Sequence, residues 1–158
     1  MGLFVQYTFA QTWTGQPIWI DSLAYPEVGK PMPNELIHNI HYFKKKQASI
    51  EDFKGKWLIL DFWNTGCTAC VASFPHVNEE MKEFKDKISF MLIGRQDIEN
   101  KIPAMYERFR QKERLEMPCA YDSIICKRFN IWAGPTIIII DPKGIVRGYT
   151  YSLTERQI

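Results

Sequence analysis

Apolar side chains fall into short dense runs separated by stretches with helical spacing. Trp57 to Trp63 is almost wholly apolar, interrupted by a lone acid at Asp61, and predicts a buried strand. Beyond it, Cys70, Phe74, Val77, Met81 and Phe84 recur in steps of four, three, four and three, which marks one face of a helix. Pro75 lies inside that helix and is expected to kink it. Ile88 to Ile93 reads as a second buried strand. Ile98, Ile102, Met105, Tyr106 and Phe109 mark a second helix, with Pro103 suited to its first turn. Met117 to Tyr121 is a short strand and Ser123 to Phe129 a short helix. Four consecutive isoleucines, Ile137 to Ile140, predict a strand buried on both faces. Pro142-Lys143-Gly144 then turns into a partner strand, Ile145 to Tyr151, as a hairpin. Thr154 to Ile158 reads as a helix that begins without its body.

The segment upstream is less regular. Residues 11–33 hold Gly15, Pro17, Pro26, Gly29, Pro31 and Pro33, a lead-in with one short strand around Ile18-Trp19-Ile20. Residues 35–43 alternate weakly, as an edge strand would. Ser49-Ile50-Glu51-Asp52 starts a helical turn with Ser49 as its cap. Strands alternating with helices indicate an α/β domain with a parallel part and a terminal hairpin.

At 158 residues, 46% hydrophobic and 24% charged, the chain has material for one domain with a substantial core. A formal net charge of +2 gives no reason to expect nucleic acid as a partner. Lys44-Lys45-Lys46 reads as a solvated strand end or turn. No stretch approaches the ~20 apolar residues of a membrane span. Gly2 to Ala10 is mildly apolar but lacks a basic flank, and Thr8-Phe9-Ala10 before Gln11 resembles the end of a signal-peptide cleavage site. Residues 1–27 are therefore read as an N-terminal extension or signal remnant, and 28–158 as the domain. Membrane association is expected only through a missing N-terminal anchor.

The chemistry concentrates in four cysteines: Cys67, Cys70, Cys119 and Cys126. Cys67 and Cys70 stand three apart, between the first strong strand and its helix. Such a pair can close a disulfide ring, and the first sulfur can sit at a helix N-terminus, where backbone N–H groups stabilise a thiolate. A free thiol has a pKa near ~8.5, and helix N-termini can bring it to ~3.5–7.5. Redox exchange is the chemistry this spacing favours. Cys119 and Cys126 read first as core thiols, and whether they pair is open. A zinc site would need two ligands beyond Cys67 and Cys70, and Cys119 and Cys126 form no second CxxC, so no metal is expected. His38, His41 and His76 are not spaced as catalytic bases, and no cofactor motif is present.

Asp61-Phe62-Trp63 with Cys67-Thr68-Ala69-Cys70, the helix holding Pro75, and Gly134-Pro135-Thr136 before a strand and hairpin together resemble the thioredoxin superfamily. Gly29-Lys30-Pro31-Met32-Pro33 and Phe53-Lys54-Gly55-Lys56-Trp57 are similar to its TlpA/ResA-like branch of extracytoplasmic thiol-disulfide oxidoreductases. The resemblance runs from about Val28 to the end. It implies a thioredoxin-like fold, a central mixed sheet flanked by helices, with the CxxC at a helix start and Pro135 in the cis form against the disulfide. It makes Cys67 the nucleophile, Cys70 the resolving thiol, and Asp61 the acid beneath them that accepts the proton of Cys70. Trp63, Gly66, Gly134 and Pro135 become candidate substrate contacts, with the Gly134 backbone offered to an extended chain.

Three features depart from the family pattern, and one leans toward thioredoxins themselves. Gly66 stands where a tryptophan is usual, Ser73 where the ResA-like branch often has glutamate, and the C-terminal helix is nearly absent; Asp61, by contrast, falls where thioredoxins themselves carry a buried acid. The implied activity is thiol-disulfide exchange with protein thiols and disulfides in the bacterial periplasm or cell envelope, together with an unidentified redox partner; Thr68 and Ala69 bring no cation that would further stabilise the Cys67 thiolate, so the direction is read as reduction. The rival reading is a redox-weak interaction module of a larger protein. Thiol peroxidase chemistry is disfavoured because Asn64, not threonine, stands three before Cys67.

Overall fold

The computed structural model describes residues 24–95 and 101–153, with the backbone of two short strands, β1 (Ala10–Gln11) and β2 (Pro17–Ile18), which pair antiparallel. The remaining expectations for the lead-in and tail, namely Trp19-Ile20, Thr8-Phe9 of the cleavage-site resemblance, and the helix start at Thr154 to Ile158, lie outside the described residues, as does Ile98.

Residues 35–43 do not form one edge strand. They divide into β3 (Leu36–Ile37) and β4 (Ile40–His41), because Asn39 turns the chain with a φ of 51°. β3 pairs with β5 (Ala48–Ser49), whereas β4 pairs with a strand far along the chain. A 3-10 turn, Ile50–Phe53, follows at the expected place. The Ser49 N–H and Oγ both reach Asp52 Oδ2, at 2.7 and 3.1 Å, tying down the turn's first residue.

The apolar runs then supply the main sheet. β6 (Trp57–Trp63) is central, α1 (Thr68–Glu83) returns over one face, and β7 (Ile88–Gly94) lies parallel beside β6. α2 (Ile102–Glu113) leads to β8 (Cys119–Tyr121), α3 (Ser123–Arg128), and the hairpin of β9 (Thr136–Ile140) and β10 (Val146–Thr150). The six-stranded order is β10-β9-β6-β7-β8-β4. β6, β7 and β8 run parallel, while β9, β10 and β4 oppose their neighbours. This is a mixed central sheet flanked by helices. α1 remains helical through Pro75, and Pro103 sits in the first turn of α2, where its missing N–H costs nothing.

Successive residues of β6 point to opposite faces, and each face has its own core. Leu58, Leu60 and Phe62 pack with Ile125, Phe129 and Ile138. Ile59 and Trp63 pack with Phe74 and Val77 of α1 and with Tyr106 of α2. Asp122 Oδ1 caps α3, accepting from the N–H groups of Ile124 and Ile125 at 2.9 and 3.1 Å. Its other oxygen accepts from the His38 N–H at 2.7 Å, so one buried carboxylate fastens α3 to the segment between β3 and β4. Upstream of residue 28 the chain is also held: the Ala24 N–H donates to Arg128 C=O at 2.8 Å, and Tyr25 stacks on Tyr149.

Candidate active site

The site grows from the C-terminal end of β6. Asn64 turns the chain out of the sheet, its Oδ1 accepting from the Gly66 N–H at 2.9 Å and its C=O from the Cys67 N–H at 3.1 Å. Cys67 is then the N-cap of α1, and its Sγ accepts from the Cys70 N–H at 3.2 Å. The two sulfurs are joined in a disulfide across Cα atoms 5.3 Å apart. Gly66, Thr68 and Ala69 are exposed around them. Cys67 keeps 7% of its surface and Cys70 only 2%, so Cys67 is the more accessible residue of the pair. Once the disulfide opens, a Cys67 thiolate faces the positive end of a sixteen-residue helix.

Gly134, in the loop just before β9, closes the site. A Cβ built there would lie 3.0 Å from Phe62 O, 3.2 Å from Trp63 Cα and 3.3 Å from Cys70 Sγ. Two of these atoms are backbone and cannot yield, so only glycine lets this loop approach the deeper sulfur. The Gly134–Pro135 peptide is cis, as the family resemblance implies. Gly134→Ala is expected to lower stability by about 1–3 kcal/mol, read as a lower denaturant midpoint at unchanged slope. An unchanged midpoint would show that the loop has room to move away.

Asp61 is 2% exposed and its Oδ1 has no hydrogen-bond partner among the described residues. It stands in register between Ile137 of β9 and Leu92 of β7, on the face that carries Trp63 and the two sulfurs. Burial alone raises its pKa to about 7, because no partner compensates the lost hydration of the charged form. A carboxyl in that condition exchanges a proton at neutrality.

Trp63 differs from the expectation of a substrate contact. It is 1% exposed and lies beneath the pair, edge-on to Phe74 at 5.2 Å and tilted against Tyr106 at 6.0 Å. Tyr106 is itself anchored through its hydroxyl to Met117 C=O at 2.6 Å. Trp63 therefore lies enclosed beneath the pair, whereas Gly66, Gly134 and Pro135 retain surface.

Sequence reasoning missed Trp132 and Arg95. The Trp132 ring is 40% exposed, and the Arg95 guanidinium lies 4.9 Å over it while donating to Trp132 C=O at 2.7 Å. Both line a small hollow with Asn64 and Gly134. They supply an aromatic surface beside a site whose residue 66 is glycine. Their only sequence signal is an aromatic residue in the loop just ahead of Gly134-Pro135.

Cys119 and Cys126 are free thiols. They belong to cores on opposite faces of the sheet, so they do not pair. Burial pushes both thiols up to about 12, which leaves them as unreactive packing groups. Among the described residues no three His, Cys, Asp or Glu side chains converge as metal ligands.

The AhpC/TSA family model matches residues 28–149. Thiol-disulfide oxidoreductase ResA of Bacillus thuringiensis subsp. konkukian (strain 97-27) is 31% identical over 122 residues, covering 76% of this chain and 67% of that protein. Thioredoxin-like protein YneN of Bacillus subtilis (strain 168) is 29% identical over 115 residues, covering 72% and 67%. Among solved structures, thioredoxin-like superfamily protein SPOA0173 superposes with a TM-score of 0.67 at 15% identity, covering 80% of this chain and 90% of its own.

Proposed function

The chain belongs to the AhpC/TSA family, and on that footing we propose that it is a thiol-disulfide oxidoreductase that reduces protein disulfides through Cys67 and Cys70. One observation carries this reading: a closed Cys67–Cys70 disulfide at the start of α1, with Cys67 the more accessible residue of the two. The similarity to ResA and YneN supports it.

In the reduced protein the Cys67 thiolate attacks one sulfur of a substrate disulfide. The substrate S–S bond breaks, a mixed disulfide forms, and the other substrate sulfur departs as a thiolate that takes a proton from water. Cys70 gives its proton to the Asp61 carboxylate, and its sulfur attacks Cys67. The second substrate sulfur leaves, and the internal disulfide remains, oxidised by the two electrons the substrate gained. Asp61 suits this step because a carboxyl of pKa about 7 is substantially ionised at neutral pH yet basic enough to accept a proton. The extended substrate lies along the Gly134 backbone, with Trp132 and Arg95 at its flank.

The direction rests on the residues between the cysteines. Thr68 and Ala69 bring no cation that would further stabilise the Cys67 thiolate and turn the pair into a strong oxidant. An extracytoplasmic compartment follows from the likeness of the Gly29–Pro33 lead-in to the ResA-like branch, and a separate redox partner must return the electrons. No helix among the described residues is long and apolar enough to cross a membrane.

Reduction of insulin, followed by turbidity, tests the activity, and equilibration with glutathione tests the direction. Turnover with a potential near about −270 mV is expected. A potential near about −120 mV would make the protein an oxidant. Absence of turnover with both thiols reduced and accessible would leave the interaction-module reading instead.

A further inference from the structure

β8 covers only the second half of β7. Their pairing begins at Leu92↔Cys119 and ends at Gly94↔Tyr121. The Leu92 N–H donates to Pro118 C=O at 3.0 Å, but Pro118 has no N–H to return, and the ladder stops there. The phase of the neighbouring ladder is set by two bonds: the Trp57 N–H to Lys87 C=O at 3.0 Å, and the Arg95 N–H to Trp63 C=O at 2.9 Å. In a parallel pair this turns the backbone groups of Ser89, Met91 and Ile93 toward β6, and those of Ile88, Phe90 and Leu92 toward β8. The Ile88 N–H is taken by Phe84 C=O at 2.9 Å. The Phe90 N–H, the Phe90 C=O and the Ile88 C=O therefore face a bare sheet edge, with no partner among the described residues.

That edge lies in a groove of about 830 Å³, which Phe90 lines together with Met81 and Met117. Six lysines surround it (Lys44, Lys45, Lys54, Lys56, Lys82 and Lys85), against two acids, Asp52 and Glu116. Lys45 pairs with Asp52 at 2.7 Å, Lys54 with Glu51 at 2.5 Å and Lys82 with Glu116 at 3.3 Å. Lys44, Lys56 and Lys85 meet no carboxylate among the described residues, and Lys56 reaches only the Lys85 C=O, at 2.9 Å. The groove is at the N-terminal end of β7, whereas the dithiol follows the C-terminal end of parallel β6, a separation of roughly 20 Å along the strands.

We infer that this groove docks an extended, acidic segment of a partner polypeptide, which adds as a short strand to the open edge of β7 while its carboxylates meet the lysine rim. An anionic lipid surface would satisfy the lysines but has no regular row of donors and acceptors for Ile88 and Phe90, so a polypeptide matches both halves of the site. The methionines give the floor adaptable apolar contacts for the segment's inward side chains. The site stands apart from dithiol exchange and does not depend on it.

Fluorescence anisotropy of the full chain with a labelled short peptide of alternating Glu and Val tests the assignment. The peptide is expected to bind about tenfold or more tightly than its Lys-Val counterpart, with affinity falling as salt rises. Lys44→Glu with Lys85→Glu should weaken binding by a similar factor while insulin reduction is unchanged. Peptide saturation should slow hydrogen exchange at the Phe90 amide, a readout that simple charge attraction would not move. Equal binding by the same peptide N-methylated at alternate amides, or unaltered exchange at Phe90, would overturn strand addition. Binding to phosphatidylserine-containing vesicles with none to the peptide would overturn it in favour of a lipid-facing surface.

Discussion

Cys70→Ser halts the protein with its substrate bonded to Cys67, and steady-state reduction of insulin falls to the background of uncatalysed exchange. The outer sulfur still attacks, because it keeps its place at the head of α1 and its share of exposed surface. The second displacement has no nucleophile, since a serine hydroxyl cannot attack a disulfide to form an S–S bond. No other thiol can substitute. Cys119 and Cys126 are buried, and the desolvation that raises their pKa values to about 12 removes their thiolates at neutral pH. Non-reducing electrophoresis and peptide mapping of the trapped species check this result. Linkage through Cys67 is expected, and linkage through Cys119 would overturn the assignment of roles.

Asp61→Asn is expected to make the protein more stable and slower at once. The wild-type carboxyl has its folded pKa raised from 3.8 to about 7 by burial. The folded state therefore holds the proton more tightly than the unfolded chain, and stability is lost as pH rises from about 4 through about 7. Three units correspond to about 4 kcal/mol of penalty above that range, an upper figure for a group relieved by no partner. Asparagine has the same shape and carries no charge at any pH. Its variant should exceed the wild type in denaturant stability by up to this amount at pH 8, with the difference vanishing below pH 4. Turnover moves the opposite way. Loss of the proton acceptor should slow resolution of the mixed disulfide by about 100-fold, and the wild-type inflection near pH 7 should disappear from the rate profile. A merely structural acid would give the stability gain without the kinetic loss, and equal rates from pH 5 to 9 would show that Cys70 loses its proton elsewhere.

Two neighbouring residues of β6 show how far a one-dimensional reading reaches. The alternation that puts Asp61 and Trp63 on one face follows from the two-residue period of any strand, and it was legible in the run Trp57 to Trp63. The depth of each was not. Trp63 became fully enclosed because Phe74 arrives from α1 and Tyr106 from α2, elements whose docking no local pattern specifies. Asp61 gained its high pKa from neighbours on β7 and β9 that offer it no hydrogen bond. The helical turn starting at Ser49, by contrast, was readable from the sequence, since a cap and its turn are completed within four residues; the structure added that Asp52 Oδ2 accepts from both the Ser49 N–H and its Oγ.

By itself the sequence determined the elements whose signals are local: the apolar strand runs, the helical spacing after Cys70, the turn at Pro142-Lys143-Gly144, and two sulfurs close enough in the chain to bond. Tertiary structure decided what depends on strand order and on which element lies across from which. It split residues 35–43 between two sheets, sent Cys119 and Cys126 to opposite faces, pressed Gly134 against Cys70 Sγ, and left the first half of β7 paired with β6 but with no strand on its β8 side among the described residues. Local backbone geometry sets the periodicity of side chains within a segment. Contacts between segments arise only when the whole chain buries its apolar faces together, and most of this site is made of such contacts.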